Sequence, residues 1–485
     1  MSARALLHPV QELRHMLATS LNLSPADIYY HAIEFAFLSL VIYLALTRAY
    51  EPWNRAAPAQ LTDAQVAEKL AAWKPAPLAA PLSQQEKDAL PLDLTTYHDA
   101  FGNFRVNGKD NVTDMATCNF LGLLKDPTVE EKCLATMKEY GCGACGPRGF
   151  YGTTDIHLEC EEKIAAFSGT ETAILYSFGS ATGNSTIPAF CKRGDLVVCD
   201  DSLNYSLQLG VKLSRAEAIR FKHNDMADLE RILKEVTDGD VADPGRRKIQ
   251  RRIIIVEGIY QNVGDLCPLD EVVALKEKYL FRVMLDESFS LGVLGKTGRG
   301  ALEHFGIKRE LVDIATADLG NAIASVGGFC VGSEDVVKHQ RLSGAGYCFS
   351  ASQPPFLAMA ASVALDIVSE RGETFVSRLR DNVDTFRKQL NIHSLKQAGW
   401  YVDGHQLSPL LHIRAYDDTL PLATFTTLQK KCLDNDVLIA RPVYAQSEVN
   451  PPKPCVRVTV SVVHSERELQ KAATVIRQVL LSSRS

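Results

Sequence analysis

An α/β fold with a mainly parallel sheet, preceded by one membrane helix and followed by a smaller α+β portion, is predicted by three features of the sequence. From about Thr95 onward, helical patterns alternate with short β-branched runs. Past about Leu365 a long helical pattern leads into a different mixture of strands and helices, and one stretch near the start is too apolar for an ordinary surface helix.

The β-branched runs lie at 196–199, 253–256, 283–286 and 326–331. Their length and flanks mark them as buried strands, and strands alternating with helices imply parallel crossover connections. The long helix carries Phe375, Leu379, Val383 and Phe386 on one face. Beyond it the pattern closes with a strand at 455–460 and a helix at 466–481. The apolar stretch, 28–47, approaches the roughly 20 residues that a membrane crossing needs only if His31 and Glu34 lie near one interface, with Tyr29, Tyr30, Tyr43 and Tyr50 as anchors. The expected organisation is an N-terminal lumenal segment at 1–27, a transmembrane helix at 28–47 and a linker with an amphipathic helix at 48–94. A large domain at 95–365 and a small domain at 366–485 follow.

Composition narrows the function classes. With 485 residues, 46% hydrophobic and 23% charged, and a net charge of -6, the chain is an ordinary globular protein with no basic field for nucleic acid. Twelve cysteines scattered over this length read as free thiols in a reducing compartment, so the folded body is expected to face the cytosol. Several motifs fail their context tests. Gly141-Cys-Gly143-Ala-Cys-Gly146 matches a dinucleotide pattern but follows a helix at 126–140 instead of a strand, so Gly141 reads as a helix terminator. Cys142 and Cys145 form a lone C-x-x-C without a second ligand pair, and His223 enters a helix capped by Asn224 or Asp225, which favours a structural histidine.

A longer series of segments carries the chemistry. In order these are Gly143-Ala-Cys-Gly-Pro-Arg-Gly-Phe-Tyr-Gly152, Tyr176-Ser-Phe-Gly-Ser-Ala-Thr-Gly183, Asp201-Ser-Leu-Asn-Tyr205, Phe221-Lys-His-Asn-Asp-Met226 and Glu257-Gly-Ile-Tyr260. Leu285-Asp-Glu-Ser-Phe-Ser-Leu-Gly-Val-Leu-Gly295, Gly298-Arg-Gly300, Ser325-Val-Gly-Gly-Phe329, Phe349-Ser-Ala-Ser-Gln-Pro-Pro355 and Arg457-Val-Thr-Val-Ser461 complete the series. Over about four fifths of the chain this order resembles the α-oxoamine synthases, fold-type-I enzymes that use pyridoxal phosphate (PLP) to condense an amino acid with an acyl-CoA thioester. Such chemistry demands a Lys for the Schiff base, an Asp on the pyridine nitrogen and a group stacked on the ring.

By that resemblance the lysine position is Asn321, whose neutral amide forms no Schiff base, and no lysine lies between Lys308 and Lys338. Two positions at which relatives place histidines hold Tyr205 and Phe289. Asp286 matches the pyridine-binding Asp and Arg457 the carboxylate-binding Arg, both now vestigial, with the plainer readings of a backbone acceptor and a strand residue left open. The anchor, the run Cys145 to Gly152 and Asn321 together resemble the non-catalytic subunits of the eukaryotic members that condense L-serine with palmitoyl-CoA to 3-ketosphinganine. The resemblance implies a heterodimer with a catalytic subunit that binds PLP covalently, no covalent cofactor in this chain, and residence in the endoplasmic reticulum membrane. It also implies small activating subunits and ORM-type regulators. Ser350 and Ser352 would then lie near the partner's PLP phosphate, and Cys145, Arg148 and Ser325 in the dimer-facing half, with Cys145 a small buried thiol. Two alternatives stay open: a self-sufficient acyltransferase using Lys296 or Lys338, and a non-enzymatic membrane scaffold.

Overall fold

The computed structural model describes residues 25–46, 61–75, 78, 80–88, 90–98, 104–242, 245, 249–445 and 447–483. Contacts divide the chain into two units, Met1–Pro81 and Leu82–Ser485. In the first, helix α1 (Pro25–Leu46) is followed by α2 (Asp63–Ala72), which opens with a Thr62–Gln65 capping box. Among the described residues no helix is long and apolar enough to cross a membrane. The transmembrane reading of 28–47 is therefore not supported: His31 and Glu34, paired at 3.0 Å, interrupt the apolar run and shorten it below the length of a span. The expected lumenal segment up to residue 24 and the anchor Tyr50 lie outside the described residues.

The second unit is built on a seven-stranded sheet. Its strands in chain order are β1 (Thr172–Tyr176), β2 (Leu196–Asp200), β3 (Glu217–Phe221), β4 (Arg252–Glu257), β5 (Arg282–Asp286), β6 (Ile314–Asp318) and β7 (Gly328–Gly332). Their spatial order is β1-β7-β6-β5-β4-β2-β3. The five from β3 to β6 run parallel, and β7 is antiparallel to both β1 and β6. All six residues of β4 are buried, as are four of five in β5, which is why these strands read as unbroken apolar runs instead of alternating ones. Beyond the sheet, a three-stranded antiparallel sheet of β8 (Trp400–Asp403), β9 (Leu410–Ala415) and β10 (Val456–Thr459) forms the α+β portion.

Helices cover both parts, and their ends are specified locally. Helix α3 (Pro127–Tyr140) starts where the Asp126 carboxylate accepts from Thr128 N and Val129 N, and stops at Gly141 with φ 78°. Helices α4 (Asp155–Ser168), α5 (Gly179–Phe190), α6 (Tyr205–Ser214), α7 (Met226–Ala242) and α8 (Leu269–Tyr279) are the crossovers and flanks. Helix α9 (Glu334–Ser343) precedes the 36-residue α10 (Pro355–Leu390). That helix runs unbroken through 365 and 366 and buries Phe375, Leu379, Val383 and Phe386 along one face. The chain closes with α11 (Leu422–Asp434) and α12 (Glu466–Ser482), the latter started by a Ser465–Glu468 capping box.

His223 pins the sheet to its loops. Its Nδ1 lies 2.9 Å from the fully buried Asp200 carboxylate at the end of β2, its Nε2 lies 3.7 Å from Asp265, and its ring meets Tyr260 edge-on at 4.7 Å. Burial opposes charging of the imidazole, but the hydrogen bond to Asp200 and the nearby Asp265 charge outweigh it and raise the pKa to about 9. A raised folded-state value means stability that is fully present below the unfolded pKa of about 6.5 and lost as pH climbs through 9. Denaturant titrations from pH 6 to pH 10 are expected to show this loss, on the order of 3 kcal/mol. His223→Gln should be less stable than the wild type at pH 6 and nearly equal to it at pH 10.

Candidate functional site

Four adjacent parallel strands end in a carboxylate: Asp200 on β2, Glu257 on β4, Asp286 on β5 and Asp318 on β6. Each holds the loop that follows. Glu257 accepts from Asn204 N at 2.6 Å and Gln261 N at 3.0 Å, and Asp286 accepts from Ser288 N at 3.1 Å and the Thr316 hydroxyl at 2.8 Å. Asp318 accepts from Gly320 N. Burial, then the neighbouring Asp286 charge, pushes Glu257 up to about 8; burial also raises Asp286 and, eased by the Gly320 N–H, Asp318.

Above these strand ends lies a pocket of about 580 Å³, at the carboxyl edge where open α/β sheets place their ligands. It brings together Tyr205, Asp286, Phe289, Asn321 and Arg457, five residues singled out in the sequence. Tyr205, the first residue of α6, places its hydroxyl 3.0 Å from Ser447 Oγ across the mouth, and Phe289 packs edge-on against Phe120 at 6.3 Å. The Asn321 amide donates to Ser288 O at 2.7 Å, so it ties down the turn after β5. Arg457 donates to Ala116 O at 3.1 Å, and among the described residues its Nε has no hydrogen-bond partner and it is the only cation lining the pocket. His412 also lines it, but burial holds that imidazole well below its usual range and so neutral.

The matching family model is that of the class I and II aminotransferases, and it spans residues 110–476. The chain belongs to this family. It is similar to "Long chain base biosynthesis protein 1b" of Oryza sativa subsp. japonica, with 40% identity covering 93% of this chain and 91% of the relative. It is also similar to "Serine palmitoyltransferase 1" of Dictyostelium discoideum, with 36% identity over 93% of both chains. In fold it matches a serine palmitoyltransferase of S. paucimobilis with bound PLP–myriocin aldimine, at a TM-score of 0.71, 24% identity, 81% of this chain and 93% of that one.

The residues present decide whether the PLP associated with this aminotransferase-type fold could be held here. No lysine lines the pocket among the described residues, Asn321 is committed to Ser288 O, and both Asp286 oxygens already accept hydrogen bonds. These residues do not fit covalent attachment of PLP. The two lysines that an independent acyltransferase would need are also misplaced. Lys296 and Lys338 are surface residues paired with Glu373 at 3.3 Å and Glu334 at 2.8 Å, and neither lines the pocket.

The remaining predicted residues gather elsewhere, around the loop 141–153. Ser352 N donates to Gly146 O at 2.8 Å, and the buried His157 ring meets Gln353 O at 2.7 Å, which joins this loop to the segment before α10. Arg148 is an internal residue here: its guanidinium lies 2.9 Å from Glu161 with both side chains buried, and its Nε donates to Thr153 Oγ1. Ser325 donates to Leu357 O at 2.7 Å, Ser350 to Gly346 O at 2.5 Å, and the buried Ser352 hydroxyl sits under Gly152. Cys145 corrects an expectation. It is exposed, with φ 56°, because no element among the described residues covers the loop; Phe150, Tyr151 and Phe349 are exposed with it. Asp318 escaped the sequence reading, and Glu257 and Asn204 entered it only as members of quoted segments without a role; for Glu257 the signal available was a carboxylate closing an apolar run.

Arg148→Ala removes one partner of a buried pair while Glu161 keeps Arg341 at 3.1 Å and Leu175 N at 2.9 Å. The expected cost is therefore at the lower end of the roughly 3–5 kcal/mol for breaking such pairs, read as a lower urea midpoint at unchanged slope.

Proposed function

We propose that this chain is the non-catalytic subunit of serine palmitoyltransferase. The enzyme condenses L-serine with palmitoyl-CoA, releasing CO2 and CoA, to give 3-ketosphinganine, the first step of sphingolipid synthesis. The observation that carries this reading is Asn321 in the pocket of a chain that is 36–40% identical, over 93% of its length, to proteins named for this enzyme and for long-chain-base synthesis. In this reading PLP belongs to the complex and is held covalently by the catalytic serine palmitoyltransferase subunit 2. This chain stabilises that subunit and completes its active site.

The partner-facing surface is the exposed loop carrying Cys145, Phe150 and Tyr151 together with Phe349 and Val326, an apolar set that a second fold-type-I subunit would cover. Arg148, Ser325 and Ser352 brace it from beneath, and Ser350 lies at its edge, with its hydroxyl available to the partner's cofactor phosphate once released from Gly346 O. A small activating subunit and ORM-type regulators complete the assembly. Localisation follows at the endoplasmic reticulum membrane, with the body of the protein in the cytosol. In support, α1 leaves Ile33, Phe35, Phe37, Leu38, Leu40, Val41 and Ile42 exposed, and the cysteines are free thiols.

Three measurements test this reading. Purified alone, the full chain is expected to show no serine-dependent release of CoA, whereas co-expression with the catalytic subunit gives turnover; turnover by the single chain would refute the assignment. Equal turnover by the catalytic subunit with and without this chain would favour the scaffold instead. In a Cys142→Ser background, Cys145 should react readily with a maleimide in the isolated chain and at least tenfold more slowly in the complex. For orientation, the exposed Asn111 of the sequon Asn111-Val-Thr113 is expected to stay unglycosylated on expression in microsomes, and its modification would place the body in the lumen.

A further inference from the structure

Two helices open onto the pocket with their N-termini, and they are finished differently. Helix α6 is capped by its own Asn204, whose side chain accepts from Leu207 N at 3.1 Å. Helix α5 has no side-chain cap: Phe178 stands at its N-cap and makes no such bond. A bare helix N-terminus carries unsatisfied N–H groups and a positive partial charge, and it attracts an anion.

The anion beside it belongs to the chain. Asp318 ends β6 three residues before Asn321, its carboxylate is fixed by Gly320 N–H, and a Cβ on Gly179 would run into that carboxylate. Glycine at 179 is what allows the approach. Asp318, Gly179 and Ser180 all line the pocket, and the other formal charges around them are the carboxylates Asp286 and Glu448 and the cation Arg457. For a ligand with an aldehyde directed at residue 321, the uncapped helix end in this pocket is the backbone position prepared for a phosphate. That space already holds a carboxylate.

We propose that Asp318 is the resident anion of the α5 N-terminus, so that this pocket rejects phosphorylated ligands, PLP included, independently of the missing lysine. The inference rests on the reading above that the partner alone carries the cofactor, and it adds a consequence that the reading does not contain. Restoring a lysine at 321 does not by itself restore cofactor capture.

The test uses the co-expressed pair, treated with borohydride so that any imine between a lysine amine and the PLP aldehyde is reduced to a stable secondary amine, followed by intact mass measurement of each chain. With wild type and with Asn321→Lys, the adduct is expected on the partner only. With Asp318→Ser combined with Asn321→Lys, it is expected on both chains, with occupancy of this chain at least tenfold above that of the single variant. The partner's own adduct and turnover show that each pair is assembled. Equal labelling of the single and double variants, or no labelling of this chain in an active double-variant pair, overturns the inference. Labelling of the wild-type chain overturns the earlier reading instead. Independently of assembly, Asp318→Ser alone should gain a thermal upshift with inorganic phosphate that the wild type lacks; no gain, or an equal upshift in the wild type, also overturns it.

Discussion

Carboxylates at the carboxyl ends of four neighbouring parallel strands, three of them buried and Asp318 half-buried, are the constraint on which the rest of the pocket depends. A carboxylate taken out of water must be hydrogen-bonded or neutralised. Here Asp200, Glu257, Asp286 and Asp318 recruit the backbone N–H groups and side chains of the loops directly above them. The loop paths, and with them the positions of Tyr205, Phe289 and Asn321, follow from those bonds. Glu257 shows the cost of the arrangement, because burial, and then the neighbouring Asp286 charge, raises it to about 8.

The same framework bears on the proposal that this pocket has no chemistry of its own. Asp286, which in a PLP enzyme would face a pyridine nitrogen, accepts from Thr316 and Ser288, and Asn321 closes the ring of bonds through Ser288 O. Polar groups whose hydrogen bonds are all met within the protein need no ligand to remain buried. The site has become part of the support for its own loops.

Much of this was legible in the chain, and the gaps have physical causes. Strands β2, β4 and β5 and helices α3, α10 and α12 announced themselves through β-branched runs, caps and a 3.6-residue apolar stripe. Strand β6 did not, because Ile314-Ala-Thr-Ala-Asp318 has too little side-chain bulk to signal a strand locally; it is held by its neighbours β5 and β7. The direction of β7 was likewise not encoded in its own residues. Asn321, Tyr205, Phe289, Asp286 and Arg457 converge as the family resemblance implied. Cys145 departed from expectation because burial is a property of what covers a residue, and this chain alone leaves the loop open. Asp318 passed unnoticed because nothing in the one-dimensional pattern reveals that it meets Gly179.

The antiparallel strand has a further implication, for synthesis on the ribosome. Strand β1 joins the sheet only through β7, which is made some 150 residues later. Until that stretch has emerged, Thr172–Tyr176 is an apolar ribbon with both hydrogen-bonding edges bare, the kind of surface that chaperones hold and that neighbouring nascent chains aggregate upon.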